Sequence, residues 1–347
     1  MSFQILGIGT AVPEHVMTQD EALAMSAQLI CRTDREARLL RMMFRRAGVE
    51  KRHTCVPHRV AYDWASDSAT PGASAGRSTS ERMRLYAAHA GPLAMRAAAD
   101  SLSVAGVAPD AITHLITVSC TGFDAPGIDV QLLEQLGLPR TTERLHVGYM
   151  GCHGALNGLR AARGLVAAEP AAKVLLCAVE LCSLHYQLRW DDERILGNAL
   201  FADGAAALVG ATATSDGPLA AANGSRLLDQ SSDSITWRIG DHGFEMTLSS
   251  EVPQLIRQQL RPWLAEWLAR HDESFASIKA WAVHPGGPRI LDAVEAALEL
   301  DPHALSASRA VLSQYGNMSS PTVLFILKEL LARGTSRPCV ALGFGPG

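Results

Sequence analysis

Adding 165 to a residue number in the middle of this chain lands on a matching residue near its end. Val118 and Gly122 map onto Val283 and Gly287, Gly151 onto Gly316, and Leu159 and Leu165 onto Leu324 and Leu330. The apolar run Val174 to Val179 maps onto Cys339 to Phe344. Identities are sparse, but one register held over three successive elements marks an internal duplication. In each copy two apolar runs flank a helical pattern: 112–119 and 173–179 around 156–168, then 276–283 and 338–343 around 321–333. That alternation implies an α/β fold. Its repetition predicts a pseudo-symmetric αβαβα five-layer sandwich with halves at 1–220 and 221–347. The boundary is expected in the Gly, Ser, Asn and Pro cluster near 215–225. Cys152 and Asn317 fall at equivalent loop positions, which puts a site between the halves. Residues 64–80, rich in Ser, Ala, Gly and Thr, read as a surface loop.

Composition excludes several function classes. With 48% hydrophobic and 19% charged residues, the chain can bury a large core. A formal charge of −4 gives no whole-protein attraction to nucleic acid or a membrane. No uncharged apolar run reaches the ~18 residues of a membrane span, and the N-terminus lacks a basic segment followed by an apolar core. The 7 cysteines are odd in number and have no CxxC spacing. A disulfide framework or a cysteine zinc site is therefore not expected, nor is any metal, and a reducing cytoplasm is the simplest setting.

Three short segments carry the chemistry. Cys152 in Met150-Gly151-Cys152-His153-Gly154 lies between an apolar strand and a helix, so its sulfur should sit at a helix N-terminus where the backbone dipole favours an anion. With a nearby imidazolium, that setting is expected to lower the thiol pKa well below 7, from a usual value of about 8.5. Such a thiolate can take an acyl group from a thioester. The bland alternative, a small buried hydrophobe, fits Cys31, Cys55, Cys177 and Cys339 better. His284 ends an apolar run and precedes Pro285-Gly286-Gly287-Pro288, an irregular loop that exposes an imidazole. Asn317 in Tyr315-Gly316-Asn317-Met318-Ser319-Ser320 could be a plain helix N-cap. Beside Cys152 and His284 it reads instead as a second hydrogen-bond donor for an enolate oxygen.

With the terminal Gly343-Phe344-Gly345-Pro346-Gly347, these segments resemble the chalcone synthase family, the type III polyketide synthases, over nearly the whole chain. The resemblance implies the thiolase fold and a cytoplasmic homodimer. It also implies substrates that are an acyl-CoA starter and malonyl-CoA, with no cofactor beyond the CoA thioesters. Cys152, His284 and Asn317 would be catalytic. Phe201 takes the place of the family's gatekeeping ring, where an apolar surface would favour neutral CO2 over a carboxylate. Met246 stands at a second gate, Trp237 where plant members carry Gly, and Ala125 where plant members reach across the dimer. Cys120, Cys182 and Ser319 fall among the cavity walls. These departures are closer to bacterial alkylpyrone and alkylresorcinol synthases than to flavonoid enzymes. They imply a medium or long fatty acyl starter and a pyrone or resorcinol product. Arg41, Arg45 and Arg46, with Arg289 at a helix start, are the expected CoA-phosphate contacts; a solvated basic face is the alternative.

Two other functions are open. A ketosynthase III-like enzyme would perform one condensation on an acyl carrier protein with the same Cys, His and Asn. A catalytically silent homologue would keep the fold without the reaction.

Overall fold

The computed structural model describes residues 2–58, 76–188, 190–191, 195–214 and 216–346. The chain opens with β1 (Phe3–Ala11), β2 (His15–Thr18), α1 (Gln19–Ile30), α2 (Asp34–Arg46) and β3 (Lys51–Thr54). Then come α3 (Thr79–Ala105), β4 (His114–Ser119), α4 (Ile128–Leu136), β5 (Glu143–Gly148), α5 (Gly154–Ala168) and β6 (Lys173–Leu181). The first half closes with α6 (Ile195–Leu200) and β7 (Asp203–Thr212). After β8 (Leu219–Ala220) follow the hairpin of β9 (Ile235–Gly240) and β10 (Gly243–Leu248), α7 (Val252–Ala269) and β11 (Ala280–Val283). The chain ends with α8 (Pro288–Leu298), α9 (Ser306–Tyr315), α10 (Pro321–Ala332) and β12 (Cys339–Leu342). Most of the loop expected at 64–80 lies outside the described residues; its end is already helical, because Ser78 and Glu81 form a capping box that starts α3.

The larger sheet runs β5-β4-β6-β7-β1-β8. β5, β4 and β6 are parallel, as strands joined by a crossover helix must be, and the rest are antiparallel. β11 and β12 form a parallel pair in the second half. The duplication is visible in these pairings. Val118 on β4 faces Ala178 on β6, and Val283 on β11 faces Leu342 on β12, one residue short of the position the 165 offset gives, with α5 and α10 as the equivalent crossovers.

Three apolar clusters make the layers. In the first, Ala90, Leu93, Ala94 and Ala97 of α3 cover the outer face of the large sheet through Leu115, Leu175 and Val209. In the second, Ala155, Leu159 and Ala162 of α5 and Val323, Leu324 and Ile326 of α10 fill the middle, between Ile116 and Leu176 on one side and Ala282 on the other. In the third, α7 and α8 close the far side of β11 and β12 through Ile256, Leu264, Leu291 and Val294. The order helix, sheet, helix, sheet, helix is the five-layer thiolase arrangement. α3 can lie this close because β1 carries Gly9, whose Cβ would stand 2.2 Å from the Ala97 carbonyl oxygen.

One buried cation fastens the segment that leaves α6. Arg52 is fully buried and donates to the carbonyls of Asn198 (2.7 Å), Ala199 (2.7 Å) and Phe201 (3.0 Å). Its other guanidinium nitrogen also meets Gln19. No carboxylate pairs with it among the described residues. Hydrogen bonds from a charged donor contribute about 1.5–3 kcal/mol each, and unpaired buried carbonyls lose as much again. Arg52→Met should therefore lower unfolding stability by at least about 3 kcal/mol in urea titration; a change within measurement error would show the contacts to be incidental.

Candidate active site

Cys152 lies in a tight turn, Gly151–His153, that runs straight into α5. Its sulfur is therefore at the helix N-terminus, as the glycines on either side suggest. The turn is roofed by the end of the chain. A Cβ on Gly345 would meet the His153 ring at 1.9 Å and the Met150 carbonyl at 2.8 Å; one on Gly151 would meet Pro346 at 2.7 Å. The glycines of the terminal Gly-Phe-Gly-Pro segment thus let it lie flat on the Cys152 turn. Gly347 is outside the described residues.

Asn317 approaches from the second half. Its backbone is clamped to the segment after α6: Asn317 N donates to the Leu200 carbonyl (2.8 Å) and Ala202 N to the Asn317 carbonyl (3.0 Å). Its side-chain oxygen accepts from Ser319 N (2.8 Å), which turns the amide nitrogen outward as a donor. Asn317 is therefore not the cap of α10; that position belongs to Ser320. His284 follows β11, and its peptide N donates to the Leu342 carbonyl (2.8 Å). It is fully buried, with neither ring nitrogen hydrogen-bonded. It also feels the charge of His153, the residue after Cys152.

Burial changes the expected electrostatics. Although Cys152 as a residue is half-buried, its sulfur is shut in, and this pushes the thiol up to about 11. Hydrogen bonds from Ser319 and Asn317 pull the other way, while the Glu180 carboxylate adds to the rise. Burial, and secondarily His153, push the His284 imidazole down to about 3. Sequence alone suggested a thiolate–imidazolium pair. Two groups sealed in a low-dielectric site each favour their neutral forms instead.

The pocket residues divide into a cluster and an outlier. Phe201, Cys182 and Met246 pack together with Tyr186. Trp237 donates its indole N–H to the Cys120 carbonyl (2.7 Å) and stands edge-on to Phe201, with ring centroids 6.4 Å apart. Cys120 and Ser319 approach through their Sγ and Oγ atoms (3.9 Å). Ala125 is not brought into this cluster; it sits in an exposed loop before Pro126. Arg41, Arg45, Arg46 and Arg289 are all exposed. A Cβ on Gly48 would touch Pro288 at 2.8 Å, so the end of α2 and the start of α8, with their arginines, are neighbours.

Sequence reasoning missed Glu180. It is fully buried and accepts from Thr121 Oγ1 (2.7 Å), Cys120 N (3.0 Å) and Ser320 Oγ (3.1 Å). Burial pushes its carboxyl up; these donors hold it back. A carboxylate in the apolar strand Lys173–Leu181 was the available signal. Arg52 was also missed; it follows Lys51, and two adjacent basic residues give no sign of burial.

A thiol at a helix start meets a carboxamide donor from the other half of a thiolase fold, and an unpartnered buried imidazole lies near the residue that follows the thiol; this set suits an acyltransferase of the condensing type. The family models for chalcone and stilbene synthases match residues 2–213 (N-terminal domain) and 220–347 (C-terminal domain). The "Alpha-pyrone synthesis polyketide synthase-like Pks18" of Mycobacterium tuberculosis is 30% identical over 99% of this chain and 88% of its own length. The structure of 1,3,6,8-tetrahydroxynaphthalene synthase from Streptomyces coelicolor A3(2) superposes with a TM-score of 0.90 at 30% identity, covering 99% of this chain and 96% of that one. PKS-I of the brown alga Ectocarpus siliculosus gives 0.87 at 30% identity, covering 99% and 95%. The chain belongs to the chalcone and stilbene synthase family and is a type III polyketide synthase. This sets aside the ketosynthase III reading.

If Ser319 and Asn317 are the donors that hold negative charge on sulfur, removing one should slow alkylation. Ser319→Ala should react with iodoacetamide at Cys152 roughly ten-fold more slowly at fixed pH, since one hydrogen bond to a charged group is worth about 1.5–3 kcal/mol. Peptide mass spectrometry reads the rate. An unchanged rate would mean that Ser319 does not touch the anion.

Proposed function

We propose that the protein extends a medium or long fatty acyl-CoA with malonyl-CoA on Cys152 and releases a pyrone or resorcinol. The convergence of Cys152, Asn317 and His284 carries this reading. The thiol attacks the starter's carbonyl while His284, with both nitrogens bare, takes its proton; the thioester bond to CoA breaks, and CoA leaves with that proton. Malonyl-CoA then loses CO2. The electron pair of the broken C–C bond becomes an enolate, whose oxygen faces the donors of His284 and Asn317. The enolate carbon attacks the Cys152 thioester, the new C–C bond forms, and the sulfur leaves as thiolate. Enolate charge is met by protein donors, so the sequence of steps asks for no metal or organic cofactor. The neighbouring arginines of α2 and α8 are the proposed seat of the CoA phosphates.

The walls support an alkyl starter. Trp237 is pinned by the Cys120 carbonyl and by the rings of Phe201, His185 and Phe244, so it is a fixed barrier. Met246 faces the cluster with a flexible chain that fills irregular space. Alpha-pyrone synthesis is also the activity named for the mycobacterial relative.

The test is a series of acyl-CoAs from acetyl to palmitoyl, given with malonyl-CoA and no carrier protein, with products identified by mass spectrometry. At ~0.8 kcal/mol per buried CH2, preference should rise roughly four-fold per carbon until the channel fills. Trp237→Gly should admit extra extensions. Cys152→Ala should stop extension yet still release acetyl-CoA from malonyl-CoA, whereas Asn317→Ala should lose that release. A flat starter profile would remove the alkyl channel; normal decarboxylation by Asn317→Ala would remove its assigned role.

We also propose that the working form is a homodimer. β5 is the edge of the large sheet and offers unpaired backbone groups. Phe123 (66% exposed), Leu145 (43%) and Tyr149 (60%) lie on or beside it, and the Arg144–Asp129 ion pair (2.7 Å) ties the edge to the helix that follows the Ala125 loop. A second copy would cover this surface and bring Ala125 under cover. Leu145→Arg with Phe123→Asp should give a monomer by light scattering; a wild-type protein already monomeric would end the idea.

A further inference from the structure

His114, the first residue of β4, has a side chain only 4% exposed, and its Nε2 makes no hydrogen bond. That nitrogen faces two carboxylates, with Glu143 Oε2 at 3.6 Å and Glu169 Oε2 at 3.8 Å. The topology brings the three together. Glu143 opens β5 and pairs in register with His114, while Glu169 is the C-cap of α5. The three ligand atoms lie within 4.8 Å of one another. Among the described residues neither carboxylate meets a Lys or Arg.

The distances discriminate between two explanations. An imidazolium hydrogen bond to a carboxylate should be about 2.7–3.2 Å long. Both contacts are longer, and a single N–H cannot aim at two oxygens. A cation about 2.0–2.2 Å from each ligand atom would hold nitrogen and oxygen roughly 3.3–3.6 Å apart in tetrahedral geometry. The observed separations are close to that. The other ring nitrogen agrees. Thr113 Oγ1 accepts from Lys173 N (2.9 Å) and can donate to the Lys173 carbonyl (3.2 Å). It is then left to accept from His114 Nδ1–H (2.8 Å), which leaves Nε2 bare and able to ligate. Charge agrees as well. Two neighbouring carboxylates repel, and Glu169 sits at the negative end of the α5 dipole, where a cation is favoured.

We propose that His114, Glu143 and Glu169 form a divalent transition-metal site that fastens the N-terminal ends of β4 and β5 to the C-terminal end of α5. One imidazole and two carboxylates, with water completing the set, suit zinc. The cysteine count gave no reason to expect a metal, and this site uses no cysteine. α5 begins beside Cys152 and runs 15 residues to Glu169, about 22 Å at 1.5 Å per residue, so the ion is structural and remote from the condensation.

The test compares wild-type protein with the Glu143→Gln, Glu169→Gln double variant. Both side chains are exposed, at 71% and 58%, so the variant should fold and condense malonyl-CoA normally. After chelator treatment and dialysis against micromolar zinc chloride, elemental analysis should find one more zinc per chain in the wild type. Calorimetric titration should show affinity lower by at least about 100-fold in the variant. Zinc should raise the melting temperature of the wild type only. X-ray absorption should show a nitrogen and oxygen environment with one imidazole. Equal zinc content and equal thermal response in the two proteins would overturn the site, as would sulfur around the metal. A wild-type protein that retains no zinc would overturn it equally.

Discussion

Burying two helices between two sheets is the constraint on which the rest of this molecule depends. The middle layer has room for α5 beside α10 only if α5 begins with small residues, Gly154 and Ala155. Gly154 shows how tight the fit is, since a Cβ there would stand 2.8 Å from Val118. The helix starts consequently meet, and the loops that feed them, at Cys152 and Asn317, are carried to the same place. The Cys152 loop arrives from the C-terminal end of the parallel strand β5, and the Asn317 loop from the end of α9. The duplication thus explains the site: each half delivers one helix N-terminus to the shared layer. Chemistry then distinguishes the halves, with sulfur in the first and a carboxamide in the second.

That location has an electrostatic consequence. The helix starts and the Ser319 and Asn317 donors favour a negative sulfur, while enclosure opposes any charge and dominates in the substrate-free chain. His284 is held neutral for the same reason. In the reaction proposed above, a neutral thiol and a neutral imidazole exchange one proton without changing the site's total charge. On that proposal the ion pair forms when an acyl group arrives, since enclosure that disfavours isolated charges strengthens the attraction between opposite ones. The sealed imidazole is also kept in a form that can accept a proton, which an imidazolium cannot.

Much of this was legible in the sequence, and what was not has a physical reason. Periodicity marked β4, α5, β6, α10 and β12 to within a few residues, because each is apolar on the face that meets the middle layer. The repeat located Cys152 and Asn317 because loop positions are inherited with the elements they join. Burial of charge was harder to read. Arg52 lies in a Lys-Arg pair that looks like surface, and its main partners are the carbonyls of a segment about 150 residues away. Glu180 gave a better clue, as a carboxylate in an apolar strand. The meeting of His114, Glu143 and Glu169 was invisible, since it needs the β4–β5 register and the end of α5 at once. The thiol's neutrality was invisible too, because enclosure belongs to the folded chain.

The pocket wall obeys a different rule from the reaction centre. Asn317 is fixed by backbone hydrogen bonds to Leu200 and Ala202, which any sequence with this fold can make. Trp237 and Met246 sit opposite each other in the two-stranded hairpin of β9 and β10, outside both layered sheets. Their positions depend on side-chain contacts to Cys120, Phe201 and Tyr186 rather than on core strands. A substitution in the hairpin therefore changes cavity shape while leaving Cys152, His284 and Asn317 where the layers put them. The proposed cavity walls thus belong to the hairpin and the loops facing it, whereas Cys152, His284 and Asn317 are placed by the duplicated core.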